Sequence, residues 1–365
     1  MNWLDFHRKS EQLSSDANVY KKRGDIELSL NLYRQAAEFE QEALSLIDNS
    51  KTRTLGIIAV SATSLWFKAK EYEKAQQLSY LILHKYNLPP FALQELQLLL
   101  QTIWTEQTKS TAGINFANEQ LLVSVKGKEV VVGGAPLDLI VEKVQIIQSI
   151  FYRSIEFLRG LPHRKKGNPS KEIQESFRPW LFQAPPGSYQ FSVAIQSPKQ
   201  LDMFNQNMEA TNLVENFLKI VKATIDSDDS LSQLVPDKNY QSTFMKLSRN
   251  LSPNGKSFDR LEIRNIDGSN SILITPEDRQ TIGKRITSTT EKQIESKETL
   301  YGILRAVHLD KDWLDLNIEN KSVHITDLRD TVDDVIGPLI NKPVRVTVSK
   351  SSGHKFRFID IEADE

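Results

Sequence analysis

The residues best equipped for chemistry in this chain are scattered rather than grouped. It has six histidines, His7, His84, His163, His308, His324 and His354. None has the helical spacing beside a glutamate that lets one helix face hold zinc. His308 and His324 fall on neighbouring expected strands and could meet. No carboxylate triad accompanies them, so they read as surface or core-edge side chains rather than a metal pair. Asp310, Asp312 and Asp315 imitate the opening of a calcium loop. However, Asp315 stands where that loop needs glycine for its sharp turn, and Lys321 where it needs a bidentate glutamate. The stretch is expected to be a turn between strands. Gly255-Lys256-Ser257 has the tail of a phosphate-cradling loop without its head, because Asn250 occupies the place of the first glycine and a strand follows. Gly133-Gly134 precedes a helix but lacks the glycine spacing of a dinucleotide turn. No serine lies in a strand-turn-helix nucleophile motif. With no cysteine, disulfides, thiol catalysis and Cys-ligated metal centres are excluded. The sequence therefore assigns no catalytic residue, metal ligand or cofactor.

Charge is the one asymmetric feature. The whole chain carries a formal net charge of −1, which gives no global attraction to nucleic acid or anionic membrane. Between Arg153 and Lys171, six cations (Arg153, Arg159, Arg164, Lys165, Lys166, Lys171) stand against the single carboxylate Glu156. A loop this basic can contact phosphates through counterion release, which makes Arg159, Arg164, Lys165, Lys166 and Lys171 the candidate anion or nucleic-acid contacts. Aromatic residues for base stacking are sparse there. From Thr299 onward the balance is nine Lys/Arg to twelve Asp/Glu, the wrong sign for a nucleic-acid face.

The elements that must position these residues change character along the chain. At 365 residues, with 39% apolar and 25% charged side chains, the composition is globular and long enough for two or three domains. Residues 1–110 are expected to be all helical, with proline absent until Pro89 and glycine only at Gly24 and Gly56. Apolar and small residues recur at helical spacing through Leu28, Leu32, Ala36, Phe39 and Ala43. Gly24-Asp25 suits a helix–turn–helix joint, with Asp25 capping the second helix. Helices are expected over 54–69, 72–86 and 90–107, and residues 108–115 read as a linker. Two stretches share a pattern. Tyr20 precedes Gly24-Asp25 and is followed by Ser29, Tyr33 and Ala36; Trp66 precedes Glu71-Tyr72 and is followed by Ala75, Ser79 and Ile82, with Pro89 at the end. Each places an aromatic nine residues before a small residue. These stretches resemble tetratricopeptide repeats, pairs of antiparallel helices. Their offset is 46 residues rather than the family's usual spacing of about 34, and the resemblance covers about a quarter of the chain.

Residues 112–296 are expected to form a central α+β domain of hairpins separated by helices. Strands are read at 120–125 and 129–132 as a hairpin around Lys126-Gly127-Lys128. Further strands are read at 173–182 and 189–196, joined across Ala184-Pro185-Pro186-Gly187. A second hairpin at 261–266 and 271–274 turns on Asp267-Gly268. Helices are expected at 136–159, 207–225, 237–250 and 276–294, with Asp226–Asp229 in a solvated loop. Residues 297–365 hold five strands with one helix before the fourth, which implies a small β-barrel-like unit. In its last strand Asp360 is expected outward. The fold class is thus multi-domain α+β.

Three functional expectations follow. The first is a non-enzymatic protein–protein interaction scaffold or adaptor, with a partner bound by the helical repeats and exposed positions such as Lys22, Arg34, Lys68 and Lys74. The alternative is a nucleic-acid-associated accessory or sensor subunit of a prokaryotic regulatory or defence system, acting through the 153–171 segment. An enzyme of an unrecognised family would place its site in the central domain, near Asp138, Arg178, Trp180 and Tyr189. Self-association is compatible with all three. The polar N-terminus and the absence of apolar runs of about 20 residues predict an intracellular protein with no membrane partner.

Overall fold

The computed structural model describes residues 2–111, 116–131, 133–183, 189–196, 210–226, 229–265, 270–290, 297–328, 331–351 and 355–364. The chain forms two compact units, the first built on Met1–Ile114 and the second on Asn115–Phe182 and Gly187–Glu365.

The first unit is five packed antiparallel helices: α1 (Trp3–Arg23), α2 (Ile26–Leu46), α3 (Thr52–Lys68), α4 (Tyr72–Lys85) and α5 (Pro90–Thr111). Asn2 and Asp5 open α1 by accepting each other's backbone N–H, a reciprocal cap that satisfies two otherwise orphaned donors. Gly24 closes the helix at φ +86°, a conformation a Cβ would disfavour, and Asp25 then accepts the Leu28 N–H to start α2. The core is rich in alanine (Ala17, Ala36, Ala59, Ala62, Ala75), which lets the helix backbones approach closely around Tyr33, Trp66, Ile82 and Leu96. The expected linker at 108–115 begins too early. α5 runs to Thr111, because Thr-Lys-Ser-Thr contains neither proline nor glycine to break it. Residues 112–115 lie outside the described residues.

The second unit contains an antiparallel sheet and a barrel. The sheet strands are β1 (Phe116–Lys126), β2 (Pro179–Gln183), β3 (Gln190–Gln196), β4 (Arg260–Asn265) and β5 (Ser271–Ile274), in the order β2-β3-β1-β4-β5. Its helices are α6 (Leu137–Leu158), α7 (Lys171–Ser176), α8 (Ala210–Ile225), α9 (Ser230–Leu234), α10 (Lys238–Leu251) and α11 (Pro276–Thr290). Leu121, Val123, Phe191, Val193, Leu261 and Ile263 project from the sheet into one core with Ile147, Ile150 and Phe151 of α6, Phe217 of α8 and Phe244 of α10. The β4–β5 hairpin pairs Leu261 with Ile274 and Ile263 with Ile272, as its alternation predicts. The Asp267-Gly268 turn lies outside the described residues, as does 184–187.

Two expectations here are corrected. The strand expected at 129–132 makes only isolated bridges among its described residues, and β1 instead pairs with β3 and β4. Lys126-Gly127-Lys128 still turns the chain, with φ +91° at Gly127 and +57° at Lys128. The strand expected from Ile173 starts only at Pro179. Ser170 accepts the Ile173 N–H and nucleates α7, and this local cap outweighs the alternation around it.

The barrel strands are β6 (Lys297–His308), β7 (Trp313–Ile318), β8 (Lys321–Thr326), β9 (Pro343–Ser351) and β10 (Lys355–Ala363), closed in the order β10-β8-β7-β6-β9. A short helix α12 (Asp333–Ile336) and a 3-10 turn, Gly337–Leu339, connect β8 to β9. All pairings are antiparallel except β8 with β10. This is the small barrel-like unit expected from the five strands, an architecture that by itself assigns no function. Leu304, Leu314, Leu316, Ile325, Val344, Val346 and Val348 fill the interior. Asp360 is not outward in water as expected. The register shifts between Phe358 and Asp360, and Asp360 is buried against Arg249 of α10.

Candidate functional site

The basic segment leaves α6 at Arg159, turns at Gly160 with φ +63°, and reaches α7 by way of Ser170. Nearly every cation in it faces a carboxylate of the same chain. Arg153, in the last turns of α6, is completely buried. Its Nε and Nη2 lie 2.7 and 2.6 Å from Asp334 Oδ2, and Nη1 donates to the Arg164 carbonyl. Arg164 Nε donates to Glu156 at 2.8 Å, and Nη2 lies 3.3 Å from Asp334. Lys165 reaches Asp312 at 2.8 Å, and Lys166 pairs with Asp310. Arg159 pairs with Glu172 at 2.7 Å. Asp333 of α12 accepts the Gly167 N–H and donates its own N–H to the Lys165 carbonyl at 3.2 Å. Burial tends to lower the Arg164 pKa, but Glu156 and Asp334 outweigh it and hold the guanidinium more firmly protonated. Burial, then the neighbouring Asp334, pushes the Asp333 carboxyl up.

The structure therefore brings Arg164, Lys165 and Lys166 together, but against α12 and the β6–β7 turn. The three aspartates that imitate a calcium loop supply two of these partners, Asp310 and Asp312. Lys171 stands apart, since it makes no ion pair among the described residues. With Arg164 it lines a cleft that also takes in Arg178. Of the other central-domain residues singled out from the sequence, Trp180 donates its indole N–H to Gln196 at 3.1 Å, and Tyr189 packs against the core.

His308 and His324 do not meet directly. They lie on β6 and β8, which are not neighbours, and the β7 residue Trp313 sits between them with ring centroids 5.7 and 5.2 Å away. His324 is held to Asp315 at 2.7 Å. No group of three metal-ligating side chains occurs among the described residues.

On the helical unit, the polar positions named from sequence divide. Arg34 pairs with Glu71 at 2.6 Å, Lys74 lies 4.5 Å over the Trp66 ring, and Lys68 lies 5.8 Å over Tyr33. Burial and then nearby Lys21 lower the Lys68 pKa. Lys22 is exposed. Sequence reading missed the apolar surface here. Tyr80 and Leu81 of α4 and Leu93 and Trp104 of α5 are all more than 40% exposed. Gln107 of α5 donates to Gln76 of α4 at 3.1 Å, which fixes the register of this antiparallel pair. Tyr80, one turn beyond Gln76, is therefore level with Trp104, one turn before Gln107. Leu93 follows on the Trp104 stripe, three turns along. The signal was present in the sequence, but the same leucines and aromatics also fit a buried stripe.

No family model, curated protein or solved structure matches the chain. No helix among the described residues is long and apolar enough to cross a membrane.

Proposed function

We propose that this chain is a non-enzymatic adaptor whose helical unit, read as tetratricopeptide-like, docks an apolar segment of a partner protein. The observation that carries this reading is the exposure of Tyr80 on α4 and of Leu93 and Trp104 on the adjacent α5. Large apolar side chains grouped on one face mark interaction sites, and tyrosine and tryptophan dominate binding hot spots. The repeat reading draws support from the positions that carry the pattern. Ser29, Tyr33 and Ala36 on α2, and Ala75, Ser79 and Ile82 on α4, are all among the buried residues of their helices. Stacked helix pairs leave one surface free along the array, which suits an extended or helical peptide.

The nucleic-acid reading stands second, because four of its five named contacts already face carboxylates of the chain. One comparison tests the first reading: capture of partners by the tagged full-length chain from its native lysate, with and without nuclease, beside the Tyr80→Glu/Trp104→Glu variant and an Arg164→Ala/Lys165→Ala/Lys166→Ala variant. A protein partner whose affinity falls by about tenfold or more in the first variant supports the reading. Equal recovery by wild type and the first variant counts against it, as does recovery of nucleic acid that depends on Arg164, Lys165 and Lys166.

A further inference from the structure

The cleft beside the basic segment has a volume of about 690 Å³, within the range of small-molecule sites. α6, the 160–170 segment, α7, Arg178 just before β2, the end of β3 and α12 all contribute to its wall. Three cations line it, Arg164, Lys171 and Arg178. Arg164 is committed to Glu156 and Asp334. Lys171 and Arg178 make no ion pair among the described residues, although they share the cleft with Asp334 and Glu175. Asp334 is itself committed to Arg153 and Arg164, so among the described residues Glu175 is the one lining acid outside an ion pair. The cleft thus holds two cations outside ion pairs, Lys171 and Arg178, the latter lying 5.9 Å over the Trp180 ring, and one carboxylate outside them.

Its floor is fixed rather than loose. The Gln196 N–H donates to the Arg178 carbonyl at 2.9 Å, and the Gln196 amide donates to the Glu175 carbonyl at 3.0 Å. The Gln174 amide donates to the Pro169 carbonyl at 2.7 Å. Gln148 and Asn168 add amides that can both donate to and accept from hydroxyls. Among the described residues that line the cleft the one aromatic ring is Tyr152, which is mostly buried, so aromatic stacking contributes little there. The lining suits a polar, hydroxyl-bearing anion. An arginine fork and a lysine point charge are the pair that best holds a phosphate.

We propose that this cleft binds a small phosphorylated polyhydroxy ligand, with its phosphate on Lys171 and Arg178 and its hydroxyls on the surrounding amides. This site is separate from the helical surface and does not depend on the adaptor reading. The test is calorimetric titration of the full-length chain with ribose 5-phosphate, inorganic phosphate and unphosphorylated ribose at millimolar concentration. The proposal expects saturable binding of ribose 5-phosphate, weaker binding of phosphate and none of ribose. Lys171→Ala and Arg178→Ala should each weaken ribose 5-phosphate by about tenfold, while Lys166→Ala leaves it unchanged. Thermal midpoints of all three variants should stay at the wild-type value, which separates lost binding from lost fold. Absence of saturable binding to either phosphate probe overturns the proposal, as does binding indifferent to both substitutions. Tighter binding of a single-stranded oligonucleotide through the same two residues would also overturn it, in favour of nucleic acid.

Discussion

Arg153 and Arg249 are the largest fully buried side chains among the described residues, and each meets a carboxylate far away in sequence. Arg153 reaches Asp334, 181 residues on, and Arg249 reaches Asp360, 111 residues on. Arg249 also donates to the Ile361 carbonyl at 2.7 Å. Removing one member of such a pair strands a charge away from water, which costs about 3–5 kcal/mol, whereas replacing both by apolar groups is often neutral. Arg249→Ala should therefore lower the unfolding free energy by about 3–5 kcal/mol in urea titration, and Arg249→Met with Asp360→Leu should restore most of it. A loss below about 1 kcal/mol in the single variant would show that water reaches the pair. Glu142 gives a pH-dependent counterpart. Burial pushes its carboxyl up, but Lys143 at 2.8 Å and Lys342 at 3.4 Å outweigh that and hold it below its ordinary value of 4.5. A depressed folded-state pKa stabilises above the unfolded value, and that contribution disappears as pH falls through the depressed value. Between pH 7 and pH 3, the urea midpoint of Glu142→Gln should fall less than that of wild type. Parallel curves would contradict the assignment.

At the scale of elements, the legible parts were those fixed by local chemistry. Gly24-Asp25, the β4–β5 alternation, the five barrel strands and α6 all follow from signals within a few residues. Features set by distant partners could not be read in this way. Nothing near Asp360 announces the bulge that turns it toward Arg249, and nothing near Lys165 or Lys166 announces Asp312 or Asp310. The candidate site was legible as a basic run but not as a set of ion pairs, because, apart from the nearby Glu156 and Glu172, the matching acids on α12 and the β6–β7 turn lie 144 to 181 residues away. Ile173–Ser176 misled for the opposite reason, since a serine cap there overrides an alternation that suits a strand. Gly56 shows how tightly elements can depend on one atom. A Cβ there would lie 2.8 Å from Ala92 Cβ and 2.9 Å from Pro89 Cγ, so α3 and the start of α5 need glycine to approach each other. Gly56→Ala should gain helix propensity yet destabilise the chain by about 1–3 kcal/mol through overpacking, read as a lower thermal midpoint. A higher midpoint would mean that the helices part at little cost.

Across the whole molecule, charge explains what composition concealed. The excess cations of 153–171 and the acidic barrel looked like separate features, yet they are complementary halves of contacts within the second unit. Arg153 and Arg164 meet α12, while Lys165 and Lys166 meet the β6–β7 turn. Alongside Arg249–Asp360, the pair Arg279–Glu362 at 3.6 Å joins α11 to β10. The net charge of −1 thus reflects internal compensation. Most of the basic run is engaged in this way, whereas Tyr80, Leu93 and Trp104 of the helical unit are exposed. The most direct test of the adaptor account is photo-crosslinking in native cells, with a photoreactive residue placed at Trp104 in one full-length variant and at Lys166 in another. The account predicts a discrete protein adduct from position 104 that position 166 does not give. Adducts to nucleic acid from position 166, with none from position 104, would contradict it.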